Sequence, residues 1–189
     1  MEKKRVILIT DGDDTAKAAV QHVANELHGY LLTQSAGNPT KLTGAEMVKA
    51  ILEAPLDFIF VLFDDCGHDK EGPGESALKT VVHDSRIETL GALAVASHSF
   101  DHEWTRVDVS IDRLGRLTPY GVDKSGIQEL ELERIRGDTV YLLDQLNIPI
   151  VIGIGDIGKM GGRDDPSRGA PITRRAVDLI LERSGGHVR

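Results

Sequence analysis

The sequence predicts an α/β fold of three layers, a Rossmann-like arrangement in which helices cover both faces of a mostly parallel sheet. Short continuous apolar runs, typical of strands buried on both faces, alternate with stretches whose apolar residues have helical spacing. Acidic or glycine-rich segments follow several of the apolar runs. No repeat, low-complexity tract or linker interrupts residues 1–189, so we expect a single α/β domain.

The first half of the chain predicts strands and helices in strict alternation. Asp14 or Thr15 is expected to cap the first helix, and Gly29 to end it. Thr43 and Glu46 have the spacing of a capping box for the second helix. The expected elements are strand 6–9, helix 16–27, strand 30–33, helix 44–54, strand 58–63, helix 76–83 and strand 90–96.

The alternation breaks after Ser97. Residues 107–111 alternate between apolar and polar, which predicts a half-exposed strand, and Leu114-Gly115 is a candidate turn. We therefore expect a β-hairpin excursion around 107–118, at an edge of the sheet or protruding as a contact arm. The remaining expected elements are helix 137–146 capped by Asp138, strand 149–154, a glycine-rich loop 155–169 and helix 172–182.

The composition excludes several classes of function. A net charge of −8 and a pI near 5.3 argue against a nucleic-acid-binding surface and against polybasic contact with anionic lipid. Cys66, the single cysteine, has no partner for an intramolecular disulfide and is interpreted as an ordinary thiol. No signal peptide and no apolar run of about 20 residues is present, so we expect any membrane association to come through a partner protein.

Aspartates follow three of the predicted strands. Asp11 and Asp13, Asp64 and Asp65, and Asp156 would meet at the carboxyl edge of a parallel sheet, where open α/β proteins bind ligands. Crowded carboxylates repel one another unless they are protonated or bridged by a cation. We predict a Ca²⁺ or Mg²⁺ site at Asp11, Asp13, Asp64 and Asp156, with Asp65 as a ligand contact. The alternative is that each aspartate caps a helix or forms an Asx-turn.

Residues 11–15 also fit the D-x-D-x-T pattern of haloacid-dehalogenase-like phosphotransferases. There Asp11 would attack phosphorus and Asp13 would act as acid and base, and Asp156 resembles half of the later acidic motif. The second acid of that motif would fall near Met160, and no lysine is placed by the pattern. A Toprim-like site is another alternative, because that fold gathers acids after the first and third strands, as Asp11 and Asp64-Asp65 do here. Its first acid is normally Glu and its later pair is spaced D-x-D, and this chain departs from both.

The loop after the last predicted strand satisfies two glycine patterns, G-x-G-x-x-G and G-x-x-x-x-G-K. Met160 stands where a nucleotide-binding loop needs Ser or Thr. Gly155 and Gly158 are nevertheless candidate anion contacts through their backbone amides, as is Asn38 in the turn 35–39.

Two histidines, His98 and His102, are four residues apart after the fourth strand. With His68 or Cys66 they would approach the ligand set of a zinc site. Solvated loop histidines are the alternative interpretation.

Several segments together resemble the soluble AE component of the stage V sporulation protein A group, and the resemblance spans nearly the whole chain. One segment is residues 104–112, which includes Trp104 and Asp112. The others are Thr10-Asp11-Gly12-Asp13, Ser35-Ala36-Gly37-Asn38-Pro39-Thr40, Phe63-Asp64-Asp65, Gly72-Pro73-Gly74-Glu75, residues 149–160, Pro171-Ile172-Thr173 and Leu181-Glu182-Arg183-Ser184-Gly185.

This resemblance implies a sporulation and germination function rather than a reaction. The group moves dipicolinic acid, held as its calcium chelate, into the developing spore and releases it at germination. The chain would be a noncatalytic accessory subunit in the forespore and spore, peripheral at the spore inner membrane. Its partners would be the other subunits, including membrane subunits, and a homo-oligomer stays open. No catalytic residue is implied by the resemblance.

Overall fold

The fold is a mostly parallel sheet flanked by helices, as a computed structural model of the chain shows for residues 2–66, 72–97, 104–137 and 139–185. The predicted α/β class is therefore confirmed. The strands are β1 (Lys4–Ile9), β2 (Tyr30–Leu31), β3 (Phe58–Leu62), β4 (Ile87–Val95), β5 (Thr105–Arg106), β6 (Val109–Ile111), β7 (Leu117–Thr118), β8 (Tyr120–Val122), β9 (Gln128–Leu132), β10 (Arg134–Ile135) and β11 (Val151–Ile154). The helices are α1 (Asp14–Glu26), α2 (Gly44–Glu53), α3 (Pro73–His83) and α4 (Pro171–Arg183).

The main sheet has seven strands in the order β2-β3-β1-β4-β11-β6-β7. Every neighbouring pair is parallel except β6 with β7, which form the antiparallel hairpin that the sequence predicts. Because β4 lies between β1 and β11, the loops that follow β1 and β11 both rise beside the end of β4. This order brings two distant parts of the sequence to one edge of the sheet.

Alternate side chains of each central strand enter two hydrophobic cores on opposite faces of the sheet. In β1, Ile7 and Ile9 pack with α1 and α4, whereas Val6 and Leu8 pack with α2 and α3. All four side chains are fully buried, as the continuous apolar run predicts. Burial on both faces fixes the register of the central strands, because a slip of one residue would exchange the two cores.

The helix ends differ in part from the predictions. Thr43 and Glu46 form the predicted capping box of α2, but the N-cap of α1 is Asp13, not Asp14 or Thr15. The Asp13 carboxylate accepts a hydrogen bond from Ala16 N, which satisfies one of the free amides of the first turn. Helix α3 begins at Pro73, earlier than predicted, because proline is well suited to a first helical position.

The prediction of helix 137–146 is wrong in type. The structure has a short 3-10 helix at Tyr141–Gln145, and the predicted cap Asp138 lies outside the described residues. Leu142 and Leu143 are still buried against the sheet, so the apolar pattern located a core contact without identifying the helix type. Two small antiparallel sheets, β8 with β9 and β10 with β5, were not predicted.

Exposed large apolar side chains concentrate on residues 114–132, in and around β7, β8 and β9. Leu130 is 93% exposed and Leu132 is 57% exposed, both on β9. Of the other exposed large apolar residues in the described part of the chain, only Leu56 lies outside this region. In the same part of the chain, no helix has the length and apolar character that crossing a bilayer requires.

Candidate metal centre

The candidate site is a group of three aspartates at the carboxyl edge of the sheet. Asp11 and Asp13 follow β1, and Asp156 follows β11. Each offers a carboxylate oxygen that lies within 4.8 Å of the others. The sheet order explains this proximity, since only β4 separates the two strands. The predicted convergence of strand-end acids is thus present for three of the four residues proposed as metal ligands.

Asp11 is the buried member of this group and is 8% exposed. Its Oδ1 accepts a hydrogen bond from Asp13 N at 3.3 Å, but its Oδ2 has no hydrogen-bond partner within the described residues. Burial, reinforced by the negative charges of Asp13, Asp156 and Asp64, raises the pKa of Asp11 to about 7. An ionised Asp11 therefore carries a desolvated oxygen that a cation would stabilise.

Lys159 lies between the other two carboxylates. Its Nζ donates to Asp13 Oδ2 at 2.6 Å and to both carboxylate oxygens of Asp156 at 3.1 Å. Burial would raise the pKa of Asp13, but the hydrogen bonds from Lys159 and from Ala16 N outweigh it and lower the pKa. Asp13 is consequently ionised at neutral pH, and the site contains its own cation.

Asp64 lies near this group without being part of it. Its Oδ2 accepts from Gly12 N at 3.1 Å and its Oδ1 accepts from Cys66 N at 2.9 Å. These contacts tie the loop after β1 to the end of β3. Direct coordination of a metal by Asp64 stays a prediction.

Asp65 is 1% exposed and holds the beginning of α3. Its carboxylate accepts hydrogen bonds from Gly74 N at 2.6 Å, from Glu75 N at 3.0 Å and from Thr139 Oγ1 at 2.9 Å. These contacts satisfy free amides of the helix terminus. They give Asp65 a structural role, and its predicted ligand contact is not tested by them.

Among the predicted anion contacts, Gly158 N donates to Asp164 Oδ2 at 2.9 Å and Gly155 packs against Gly126. Asn38 is exposed and lines an open pocket beside Asp13. Anion binding by Gly155, Gly158 and Asn38 stays a prediction.

The helix that a dinucleotide-binding loop would open is replaced by two short 3-10 helices, Met160–Gly162 and Pro166–Arg168. For the alternative zinc site, His68, His98 and His102 lie outside the described residues.

Sequence reasoning missed two residues that organise the site, Lys159 and Asp164. The position of Lys159 was visible as the last residue of the G-x-x-x-x-G-K pattern, but the pattern suggested phosphate contact, not an internal ion pair. Asp164 is completely buried and accepts four hydrogen bonds, from Gly158 N, Ile172 N, Thr173 N and Thr173 Oγ1. It fixes the glycine-rich loop on the start of α4.

No curated protein and no solved structure has significant similarity to the chain. The sequence profile of the SpoVAE family, described as stage V sporulation protein AE1, matches residues 5–184. This match runs from the second residue of β1 to the residue after α4. The chain therefore belongs to the SpoVAE family of stage V sporulation proteins.

Proposed function

We propose that this chain is a noncatalytic accessory subunit of the machinery that transports dipicolinic acid in spore formation and germination. We further propose that it binds one Ca²⁺ or Mg²⁺ ion at Asp11, Asp13 and Asp156. Family membership supports the sporulation setting. The observation that carries the cation site is the buried Asp11 Oδ2, which has no donor within the described residues and lies beside two further carboxylates.

The chemistry of this group suits a hard divalent cation. Ca²⁺ and Mg²⁺ take oxygen ligands, and carboxylates on separate loops provide them without thiol or imidazole groups. When Asp11 is ionised, the three carboxylates exceed the single ammonium of Lys159 by two charges, which one divalent ion would neutralise. The ion would replace Lys159 as the partner of Asp13 and Asp156, and would add the missing partner of Asp11.

Calorimetric titration of the chelator-treated protein with Ca²⁺ and with Mg²⁺ tests the cation site. Asp11→Asn and Asp156→Asn should each weaken binding about tenfold or more, which corresponds to about 1.4 kcal/mol. Glu53→Gln is the matched control, because it removes one exposed negative charge at the last residue of α2. Absence of binding at millimolar ion, or equal weakening in all three variants, would contradict the proposal.

The accessory role requires a surface for other subunits, and residues 114–132 supply a candidate. Leu130 and Leu132 are both exposed on β9. Exposed apolar patches often mark protein–protein or membrane interaction sites. We propose that membrane subunits of the same group contact this region and hold the chain peripherally at the spore inner membrane. Such contact would localise the chain without inserting any of its helices.

Co-purification with co-expressed membrane subunits, followed by membrane flotation, tests this contact. The double variant Leu130→Glu with Leu132→Glu should lose co-purification and flotation while keeping its unfolding midpoint. Leu56→Glu is the control, since Leu56 is 43% exposed but lies before β3, away from residues 114–132. Equal recovery of both variants would exclude residues 114–132 as the contact.

A metal-dependent phosphotransferase is the second candidate function. The contacts of Lys159 favour it, because they add to Asp11 and Asp13 the lysine that the sequence pattern did not place. In that reaction Asp11 would attack phosphorus, and Asp13 would protonate the oxygen of the leaving group. The lowered pKa of Asp13 and its role as the N-cap of α1 both oppose proton donation.

A screen of phosphate esters with Mg²⁺ separates the two candidates. Turnover that Asp11→Asn abolishes and Glu53→Gln retains would establish the phosphotransferase. Absence of turnover would leave the noncatalytic assignment, and a rate unchanged by Asp11→Asn would exclude Asp11 as the nucleophile.

A further inference from the structure

An open pocket lies beside the three aspartates, between the amino end of α1 and the loop that follows β2. Its volume is about 370 Å³, enough for a small organic anion. Asp13 belongs both to the wall of this pocket and to the group of three carboxylates, so the two spaces share a side chain. The lining of the pocket includes Gly12, Asp13, Lys17, Gly37, Asn38 and Lys41.

Two lysines give this pocket positive charge. Lys17 comes from the first turn of α1 and is half-buried, and Lys41 comes from the loop opposite and is exposed. Neither makes an ion pair with any residue in the described ranges, in contrast to Lys159. Asp14, exposed at the same mouth, leaves the pocket less positive than the lysines alone would make it.

The floor of the pocket is built from tightly apposed backbone. Gly37 N donates to Gly12 O at 2.9 Å, and a Cβ on Gly12 would collide with the carbonyl oxygen of Gly37. Thr40 fixes the same loop to the end of β3, because its N donates to Asp64 O and its Oγ1 accepts from Asp64 N. Lys41 and Asn38 are therefore carried on a loop anchored at both sides, and Lys17 is carried on α1, which limits the ordering that a ligand must induce.

We propose that this pocket binds a small oxyanion with at least two negative charges, a carboxylate or a phosphate compound, whose oxygens also ligate the cation at Asp11, Asp13 and Asp156. The inference rests on the proposed cation site. Lys17, Lys41 and Asn38 would contact the end of the anion that points away from the metal. Without the cation, the neighbouring carboxylates repel the anion, so the two ligands bind cooperatively. By linkage, each raises the affinity of the other by the same factor.

Calorimetry with two probe anions, pyridine-2,6-dicarboxylate and inorganic phosphate, tests this pocket. Each is titrated into the full chain in chelator and again at saturating Ca²⁺, and the heat of the same titration without protein is subtracted, because both anions complex Ca²⁺ in solution. Binding of at least one probe should strengthen tenfold or more with Ca²⁺, and the same factor should appear when Ca²⁺ is titrated at saturating anion. The two probes distinguish a carboxylate ligand from a phosphate ligand. Lys17→Gln and Lys41→Gln should each weaken anion binding about tenfold or more, as expected for loss of one charge-assisted hydrogen bond.

The controls separate this inference from the cation site itself. Lys49→Gln removes an exposed lysine of α2 and should leave anion affinity unchanged. Lys17→Gln should change the affinity for Ca²⁺ alone by less than twofold. If Ca²⁺ binds and neither anion binds, or if Lys17→Gln and Lys41→Gln match the wild type, the pocket is excluded while the cation site stands. If Ca²⁺ alone does not bind, the cation site fails, and with it this inference.

Discussion

The ammonium of Lys159 lies 2.6 Å from Oδ2 of Asp13, a contact between residues 146 positions apart in the sequence. It joins the glycine-rich loop to the first turn of α1. Burial lowers the pKa of Lys159, but its contacts with Asp13 and Asp156 outweigh that effect and raise it. Lys159 is thus a permanently charged counter-ion of Asp13 and Asp156, and a cation bound at the proposed site would have to displace it.

Replacement of Lys159 by methionine should make the protein depend on added cation. In chelator, the variant should lose about 1–2 kcal/mol of unfolding free energy, a modest value because solvent screens a half-exposed ammonium. Its Ca²⁺ affinity should rise about tenfold, since no internal charge competes for Asp13 and Asp156. Denaturant unfolding and calorimetric titration measure the two effects.

Arg163→Met is the matched control, because it removes a positive charge from an exposed residue of the same loop. Arg163→Met should change neither the unfolding free energy nor the Ca²⁺ affinity by more than the experimental error. A Lys159→Met protein with weaker Ca²⁺ binding than the wild type would show that Lys159 supports the cation instead of competing with it.

Asp11→Asn should change how stability depends on pH. Because the pKa of Asp11 is raised to about 7 in the folded state, from 3.8 in the unfolded chain, the folded protein binds the extra proton between these values. The stabilisation that the protonated Asp11 provides is fully present below pH 4. It is lost as the pH rises towards 7, and the free energy of unfolding falls by at most about 1.4 kcal/mol per pH unit. In chelator at pH 8 the variant should therefore be more stable than the wild type.

Unfolding curves from pH 4 to pH 8, recorded for both proteins in chelator, isolate this effect as their difference. Saturating Ca²⁺ should flatten the pH dependence of the wild type, because the cation stabilises the ionised carboxylate. Parallel curves for the two proteins would show that Asp11 titrates at its ordinary value.

Gly12→Ala should damage the pocket floor. The added Cβ would collide with the Gly37 carbonyl and lie 2.9 Å from Asp64 Cβ, so the loop after β2 must move. We expect a loss of about 1–3 kcal/mol of unfolding free energy, as for overpacking in a core. Anion and cation affinities should fall with it. Gly115→Ala, at a turn with positive φ and open space, should cost about 1 kcal/mol and leave both affinities unchanged.

Asp164→Asn should loosen the glycine-rich loop. The asparagine side chain keeps one acceptor oxygen, but its NH₂ group replaces the other. If that group takes the place of Oδ2, it faces the Gly158 N–H and the Thr173 hydroxyl, which both donate to Asp164. The expected loss is about 2–3 kcal/mol of unfolding free energy, with faster hydrogen exchange over residues 155–170. Asp165→Asn is the adjacent control, since Asp165 caps only a short 3-10 helix. Equal protection of the loop in both variants would contradict the assigned role of Asp164.

Features that depend on local sequence were predictable. The apolar runs located β1 and β3, and the capping box of Thr43 and Glu46 located the start of α2, because each signal acts within a few residues. Strand polarity also predicted that Asp11, Asp13 and Asp156 would share one edge, because all parallel strands end at the same side.

Features that depend on strand order were not predictable in the same way. The alternation of apolar runs and helices gave no reason to place β11 next to β4 instead of at the edge of the sheet. The position of β11 decides whether Asp156 lies near Asp11 and Asp13. The contacts of Asp64 with Gly12 N and Cys66 N were not predicted, and its role as a metal ligand stays a prediction. Lys159 and Asp164 lie in an irregular loop, where contacts are set by tertiary packing and have no periodic signal.

The position of β4 between β1 and β11 has a consequence for the chain as the ribosome makes it. When β1 to β4 have emerged, one side of β4 presents unpaired amides and carbonyls, the side that β11 later covers. The two strands are separated by 55 residues, so this unpaired edge persists for several seconds at ordinary rates of translation. A nascent chain of this protein is accordingly most exposed to chaperone capture, or to pairing with a sister chain, until β11 has emerged from the ribosome.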